Sequence, residues 1–462
     1  MMLAGPALAQ PFNYGSALVG EQAVGLGGAF TGLADDASAL WYNPAGLAQM
    51  SRAGLSLSAS TYGYFSSIEK GAFRDEDTIR DVAREGSFSV PNAIIYALPI
   101  GESGGLQHTL AAGVFVPYRN IWKGSMDISL EEERTEQYDR DDNFISIDDT
   151  EYRVGFGYAA QLGNLYLGAG LFFSYFTSQR EEANAYTYGD EESAYRIQAF
   201  TSSAQSQLAI TGDVGALWRP APLWRIGLKI GLPNARLWSA SSFNHHRTEI
   251  GSELRDDTSQ ALNPPRISEA FQDTFRGVEG QSRYKRPGAI AFGVSRGKPR
   301  HFTVSADLRV FMPVAPFERI EVDTQKARPA PGEIVDPLVE PGFRDFDPSE
   351  TDGGRALTVN GAIGIRVPVT DSLELLLGAY TDFSANRDEV DQLESTDRYG
   401  GSLALRTGTS AESLTLGLTG FYGMGEGESV DLSESSQGPA QSSQIMEWSV
   451  AFFLAGSTPF GE

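Results

Sequence analysis

The strongest constraint on this chain is a two-residue alternation of apolar and polar side chains that recurs from residue 52 onward. In residues 302–312, for example, Phe302, Val304 and Leu308 share one face and Asp307 lies on the other. Because successive side chains of a strand point to opposite faces, this period predicts strands rather than amphipathic helices. Such segments predict an all-β chain of about 14 strands. They lie near residues 52–66, 88–99, 106–118, 151–162, 164–178, 203–219, 222–238, 284–297, 300–313, 355–369, 371–386, 397–408, 411–424 and 444–455.

The connections between these predicted strands alternate in length. The tight connections are 163–164, 219–222, 297–299 and 369–371. The long connections, which are polar and mostly acidic, are about 67–87, 119–150, 239–283 and 314–354. A soluble β-sandwich also has alternating strands, but an even strand number with short turns at one end and long loops at the other is typical of an outer-membrane barrel. We therefore predict a transmembrane antiparallel β-barrel over residues 52–462 with its long loops extracellular.

Charged side chains on the polar faces of the strands support a barrel. A sandwich core would have to neutralise each of them, whereas a lumen that holds water or a polar plug would not. No uninterrupted apolar run approaches the ~18 residues of a membrane helix, so strands would have to cross the membrane. The inward charges are Arg225, Lys229, Asp307, Arg309, Arg366 and Glu374.

The charge balance and the lack of cysteine exclude several functions. The chain has 60 acidic and 36 basic side chains and a formal net charge of -24, which argues against a nucleic-acid partner. It has no cysteine, so disulfides, thiolate metal sites and thiol nucleophiles are excluded. We expect a monomer that contacts outer-membrane lipid and lipopolysaccharide.

The first nine residues, MMLAGPALA, match the end of a secretory signal peptide, because they are apolar and finish in a small-x-small pattern. We predict that residues 1–9 are the remnant of such a signal and that the mature chain starts at Gln10. An ordinary flexible N-terminus is the alternative. A signal of this kind fits the outer membrane of a Gram-negative-type bacterium.

Residues 10–51 lack the two-residue period and contain Pro44, so they are not predicted to form a lipid-facing strand. They are too apolar for a free tail. We predict that they form a plug, or N-terminal hatch, in the lumen, which buries Leu40 and Trp41. A periplasmic extension packed on the barrel rim is the alternative. We expect the acidic pair Asp35 and Asp36 to meet inward basic residues such as Arg225 or Arg309.

No pattern in the chain indicates catalysis, a metal site or a cofactor. His245 and His246 are adjacent in a predicted loop, where neighbouring side chains point apart and no further ligand completes a zinc site. Residues 139–150 begin like a calcium loop but carry Thr150 where a bidentate Glu is needed. His108 is predicted on the lipid side without a serine partner. We predict that the protein is not an enzyme and has no catalytic residues, no metal and no cofactor.

Several stretches resemble one family of outer-membrane proteins. They are Ala34-Asp35-Asp36-Ala37, Asn43-Pro44-Ala45, WRIGLKIGLPNARL at 224–237 and RPGAIAFGVS at 286–295. In these the chain resembles the FadL/TodX (OMPP1) transporters of long-chain fatty acids and aromatic hydrocarbons. The resemblance covers most of the chain, and its hatch motif is Asp35, Asp36, Asn43, Pro44 and Ala45.

The resemblance also implies two functional positions. The family's mature N-terminus has an aromatic third residue that reaches into the ligand pocket, and cleavage after Ala9 makes Phe12 the matching residue. In the family, a bend in the third strand opens the wall sideways into the bilayer. The matching stretch is residues 111–122, where Gly113 weakens the ladder and Pro117 removes a donor.

Together these observations predict passive outer-membrane transport of long-chain fatty acids or other hydrophobic compounds, with lateral release into the bilayer. The expected ligand-binding residues of the hatch and lumen are Phe12, Leu40, Trp41, Lys229 and Arg309. For Lys229 and Arg309, pairing with hatch acids is an equal alternative to binding a ligand carboxylate. The alternative function is a scaffold or shuttle barrel for secreted proteins, because similar barrels with an Asn-Pro-Ala-Gly start serve that role.

Overall fold

A computed structural model describes residues 13–14, 18–74, 79–103, 106–131, 138–189, 194–251, 269–298, 300–322, 350–352, 354–386, 395–409, 412–431 and 441–459. The helices are α1 (Glu21–Gly25), α2 (Ala39–Tyr42) and a 3-10 helix (Pro44–Gln49). The strands are β1 (Gly54–Arg74), β2 (Ile79–Ser103), β3 (Leu106–Glu131), β4 (Tyr138–Leu162), β5 (Leu165–Gly189), β6 (Ala194–Ala221), β7 (Trp224–Gly231), β8 (Ala235–Gly251), β9 (Glu269–Ser282), β10 (Ala289–Arg296), β11 (Thr303–Phe311), β12 (Phe317–Val322), β13 (Glu350–Asp352), β14 (Thr358–Pro368), β15 (Leu373–Asp382), β16 (Ser395–Gly408), β17 (Ser413–Asp431) and β18 (Gln441–Pro459).

The strands form one closed antiparallel barrel. The barrel closes where β1 pairs with β18, in a register that runs from Gly54 opposite Pro459 to Lys70 opposite Gln444. Four barrel strands are each interrupted once. For example, β7 and β8 pair with the same edge of β6, β7 near the short-turn end and β8 near the other end, so they are two parts of one strand. The pairs β7 and β8, β9 and β10, β11 and β12, and β13 and β14 therefore each count as one strand. The described residues thus form 14 barrel strands, which confirms the predicted fold class.

The two-residue period places apolar side chains outside and polar or small ones inside. On β4, Tyr152, Val154 and Phe156 are 42–50% exposed. Glu151 and Arg153, which alternate with them along the strand, are buried. Exposed aromatic rings form a row by direct cross-strand pairing, from Tyr399 through Tyr422 to Trp448. Exposed Trp218 and Trp224 lie near a tight turn at the opposite end. An apolar outer band edged by aromatic rings is typical of barrels in lipid.

The strands extend further than the sequence pattern predicts. The predicted loop ranges 67–87, 119–150, 239–283 and 314–354 are too wide, because β1 to β4, β8, β9, β12 and β13 continue into them. The described parts of these ranges are therefore largely paired strand. Beyond the apolar band both faces of a strand meet water, so the alternation fades while the backbone pairing continues.

The N-terminal segment (residues 18–50) packs against the inner face of the barrel. Most of its residues are buried, and its apolar side chains form a core with inward side chains of the wall, among them Phe115, Phe172 and Leu376. It ends in the 3-10 helix before β1 begins. Among the described residues, no helix is long and apolar enough to cross a membrane. Residues 1–9 and Phe12 lie outside the described residues.

Candidate functional site

Glycines on the inner face of the wall make room for the N-terminal segment. A Cβ added at Gly364 on β14 would lie 2.8 Å from the Leu26 Cβ and 2.9 Å from the Leu26 carbonyl oxygen. At Gly227 on β7, an added Cβ would meet the backbone of Thr31. The backbone of the segment can approach this closely only where the wall has no side chain. The wall glycines of this kind are Gly168, Gly215, Gly227, Gly293, Gly364 and Gly378, and Gly157 makes room for the Leu40 and Leu47 side chains.

The Asn-Pro-Ala motif joins the segment to the wall. The Asn43 side chain is fully buried and donates to the carbonyl oxygens of Thr31 at 3.0 Å and Ala216 at 3.1 Å. Its Oδ1 accepts from the amide of Ala45 at 3.2 Å, which caps the 3-10 helix that begins at Pro44. One amide side chain thus fixes a turn within the segment and connects that turn to β6.

The acidic pair of the segment lies in a buried polar cluster. Asp35 lies 3.7 Å from the Arg366 guanidinium and interacts electrostatically with Arg225. Asp36 accepts from the Ser38 amide at 2.8 Å and from the Ser38 hydroxyl. Burial raises the pKa of Asp36 to about 6, and the nearby carboxylate of Asp35 adds to the increase, whereas the Ser38 hydrogen bonds oppose it.

Arg309 contacts a different part of the segment. Its guanidinium donates to the carbonyl oxygen of Gly28 and lies 5.4 Å from the centre of the Tyr42 ring. Asp307, one position along the inner face, accepts from the amides of Phe30 at 2.9 Å and Thr31 at 2.7 Å. Both charged groups of β11 therefore bind backbone of the segment.

A second ion cluster joins Glu374, an inward charge predicted from the sequence, with Arg406 and Glu21, which were not predicted. Arg406 on β16 donates to Glu21 of α1 at 2.8 Å and to Glu374 on β15 at 2.7 Å. Thr415 also donates to Glu21 at 3.0 Å. The sequence indicates only that Arg406 points inward, because it shares a strand face with Ala404. Nothing in the sequence identifies Glu21 as its partner.

The predicted residues Leu40 and Trp41 lie where the segment meets β3, β4 and β5. Leu40 is fully buried. The Trp41 ring centre lies 5.2 Å from that of Phe115 and 6.2 Å from that of Phe172. Lys229 donates to the Trp41 carbonyl oxygen at 2.6 Å and pairs with Asp213 at 2.6 Å. We call Trp41, Phe115 and Phe172 the aromatic cluster.

The ladder between β2 and β3 stops beside this cluster. It runs from Ser103 opposite Leu106 to Ala93 opposite Phe115, and the described residues beyond that pair show no β2–β3 pairing. Past the same point, β3 shifts register against β4 between Phe115 and Tyr118. Gly113 lies just before the end of the ladder, and Pro117 lies within the register shift. Two neighbouring strands of the wall thus separate at the stretch selected in the sequence.

A small opening lies between the segment and the wall on the side of β11, β14 and β15. Its cavity volume is about 10 Å³, which is room for about one water molecule. Its walls include the apolar residues Leu18, Phe311, Ala362 and Tyr380 together with Arg309. The Tyr14 ring packs on the Phe311 ring with 4.7 Å between centres.

The remaining polar candidates do not assemble a site. His108 on the outward side lies 2.7 Å from the Tyr158 hydroxyl. In the part of the chain that the structure describes, no three His, Asp or Glu side chains are grouped to hold a metal ion.

The described residues form a 14-stranded barrel with the N-terminal segment packed against its inner face. No protein-family model and no curated protein sequence matches the chain. Among solved structures, it is similar to a FadL homologue of Pseudomonas aeruginosa, with 12% identity and a TM-score of 0.59 over 97% of this chain and 100% of that one. It is also similar to the CymD monoaromatic hydrocarbon channel, with 13% identity and a TM-score of 0.54 over 96% and 98% of the two chains. The toluene transporter TodX of P. putida matches with 10% identity and a TM-score of 0.55 over 96% and 99%. The chain therefore has the fold of FadL/TodX-type channels.

Proposed function

We propose that this protein carries hydrophobic compounds passively across the outer membrane of a Gram-negative-type bacterium. The observation that carries the proposal is the end of the β2–β3 ladder beside the aromatic cluster, where the described residues of the two wall strands are no longer paired. The small opening between the N-terminal segment and the wall holds only about one water molecule, so the segment has to shift before a ligand fits there. A break in the wall beside an aromatic cluster favours a transporter over a scaffold barrel, because a scaffold needs no exit into lipid. The similar structures include channels described as carrying toluene or monoaromatic hydrocarbons, which agrees with this proposal.

The proposed route has three stages. Ligand enters at the long-loop end, is held where the N-terminal segment acts as the hatch, and leaves sideways between β2 and β3. Each buried methylene contributes about 0.8 kcal/mol, so a long acyl chain would be released into water only at a large cost. A lateral exit into lipid avoids that cost. The end of the β2–β3 ladder beside Gly113 and Pro117 supports this exit.

We assign Lys229 and Arg309 to holding the hatch. Each cation donates to a backbone carbonyl of the N-terminal segment, at Trp41 and Gly28 respectively. A ligand carboxylate would have to displace those bonds. Phe12 and Trp41 are the aromatic residues that we expect to contact ligand. Outside the barrel, the apolar band contacts outer-membrane lipid and lipopolysaccharide, and the protein acts as a monomer.

The test is the uptake of a radiolabelled fatty acid and of toluene by cells with and without the protein. We expect faster uptake of at least one of the two compounds with the protein. Deletion of residues 10–16 is expected to lower ligand affinity while the barrel stays heat-modifiable. Equal uptake with and without the barrel, for both compounds, would refute the transport function. If the deletion abolishes the barrel, residues 10–16 are needed for folding rather than for ligand binding.

A further inference from the structure

Residues 283–288, which interrupt the wall between β9 and β10, turn into the lumen, and we call them the strap. The Gln207 side chain of β6 bonds both backbone groups of Tyr284, the amide at 2.8 Å and the carbonyl at 2.8 Å. Asn234, between β7 and β8, donates to the Tyr284 carbonyl at 2.8 Å and accepts from the Arg286 amide at 2.7 Å. Two side chains therefore replace the missing ladder and hold the strap in a defined place.

The side chains of the strap reach the inner faces of β4 and β5. The Tyr284 ring stacks on the Phe176 ring with 4.3 Å between centres and an interplanar angle of 5°. Arg286 pairs with Glu151 at 3.1 Å, and Glu151 also pairs with Arg153 at 2.7 Å. In the barrel order, β6 and β7 lie between β5 and β10. The strap thus crosses the inner faces of β6 and β7, and a ring stack and an ion pair hold it against β5 and β4.

Two interactions connect the strap with the region around the N-terminal segment. Tyr14 interacts electrostatically with Tyr284 and Arg286, and its ring packs on Phe311, which lines the opening. Arg153 lies 5.4 Å from the centre of the Trp41 ring in the aromatic cluster. Through Glu151 and Arg153, the strap is connected to Trp41 in the aromatic cluster.

The character of the lumen changes at the strap. Toward the long-loop end, the buried inward side chains of β4, β5, β6 and β8 are mostly polar. They include Ser146, Asp149, Ser178, Ser203, Gln205 and Ser241. Toward the short-turn end lie the aromatic cluster and the apolar walls of the opening. A hydrophobic ligand that enters from outside must leave a polar lumen and pass this level to reach apolar surface.

We propose that the stacked pair Phe176 and Tyr284 is the constriction that determines which ligands reach the opening, and that Arg286 and Glu151 hold it shut. The inference rests on the proposed transport function. Because the rings are in van der Waals contact, a ligand passes between the strap and β5 only when they separate. The width to which they part sets an upper limit on the ligand cross-section.

The first test changes the constriction alone. Tyr284→Ala and Phe176→Ala keep the backbone bonds of the strap to Gln207, so the strap keeps its place. Each is expected to raise the uptake ratio of a bulky pyrene-labelled fatty acid to an unlabelled fatty acid of the same length several-fold. Tyr175→Ala is the matched control, because Tyr175 is adjacent to Phe176 but 42% exposed on the outer face. An unchanged ratio in both constriction variants, in barrels that remain heat-modifiable, overturns the proposal.

The second test locks the strap. The chain contains no cysteine, so the double variant Phe176→Cys with Tyr284→Cys can be joined selectively by a short bifunctional thiol reagent. We expect uptake to fall to the level of cells without the barrel after cross-linking, and not after treatment of either single variant. Undiminished uptake through a cross-linked barrel refutes the strap proposal but leaves the transport function standing. If the untreated wild-type barrel carries neither fatty acid nor toluene, the transport function itself fails.

Discussion

Replacing Gly364 with Ala should loosen the N-terminal segment without opening the barrel. The new Cβ would lie 2.8 Å from the Leu26 Cβ and 2.9 Å from the Leu26 oxygen. Carbon atoms pack best at about 3.5–4.0 Å, so the segment has to retreat by close to 1 Å. Overpacking of this kind costs about 1–3 kcal/mol, and removing a glycine from a strand returns about 0.5–1 kcal/mol.

The net loss of about 1–2 kcal/mol weakens docking of the segment by a factor of about 5–30. The matched control is Gly361→Ala on the same strand, where an added Cβ would be 4.0 Å from its nearest neighbour, the Asp307 oxygen. Since Gly361 faces away from the segment, its replacement should leave docking unchanged.

Hydrogen exchange of the purified barrel in detergent measures this difference. Amides of residues 20–34 should exchange about 5–30 times faster in Gly364→Ala than in the wild type, and amides of β15 should not change. If Gly361→Ala accelerates the segment as much as Gly364→Ala does, close packing on the wall glycines does not hold the segment. Equal exchange in Gly364→Ala and the wild type would lead to the same conclusion.

Three further predictions concern charges and the outer surface. Arg406→Met removes the guanidinium partner of buried Glu21, a loss of about 3–5 kcal/mol, and should expose residues 18–50 to limited proteolysis while the barrel stays folded. Because the folded pKa of Asp36, about 6, lies above the ordinary 3.8, its contribution to docking is complete below pH 4 and is lost as the pH rises through 6. Hydrogen exchange of the segment, corrected for intrinsic rates, should therefore accelerate over this range in the wild type and not in Asp36→Asn. Leu403→Arg places a charge on the outer face of β16. It should lower the free energy of unfolding by about 2–4 kcal/mol, measured by urea unfolding from lipid vesicles. An unchanged free energy of unfolding would mean that this face lies outside the membrane.

The barrel could be predicted because its determinants are local. The period of two in residues such as Phe302 to Leu308 follows from the strand backbone, and each tight turn is encoded within a few residues. The segment before β1 could be separated from the wall for the same reason, since Pro44 and the clustered glycines break the period. The ends of the strands could not be predicted, because outside the apolar band the alternation no longer reflects which residues are paired.

The partners of the buried charges depend on contacts between distant parts of the chain. Arg406 and Glu21 are separated by 385 positions, and the alternation shows only that Arg406 points inward. Asp35 is close to both Arg366 and Arg225, but only Arg225 was predicted as its partner. Which inward cation meets which acid depends on the order of strands around the barrel and on the height of each side chain, and a linear pattern contains neither.

From its own residues, then, the chain specifies an alternating wall, the parity of its connections and a segment that cannot belong to the wall, because those properties arise within one strand or one turn. The tertiary structure establishes where β2 and β3 separate and how the strap at Tyr284 meets Phe176 from another part of the wall. These features depend on register between strands far apart in the chain, and register is set only when the sheet closes on itself and packs around the N-terminal segment.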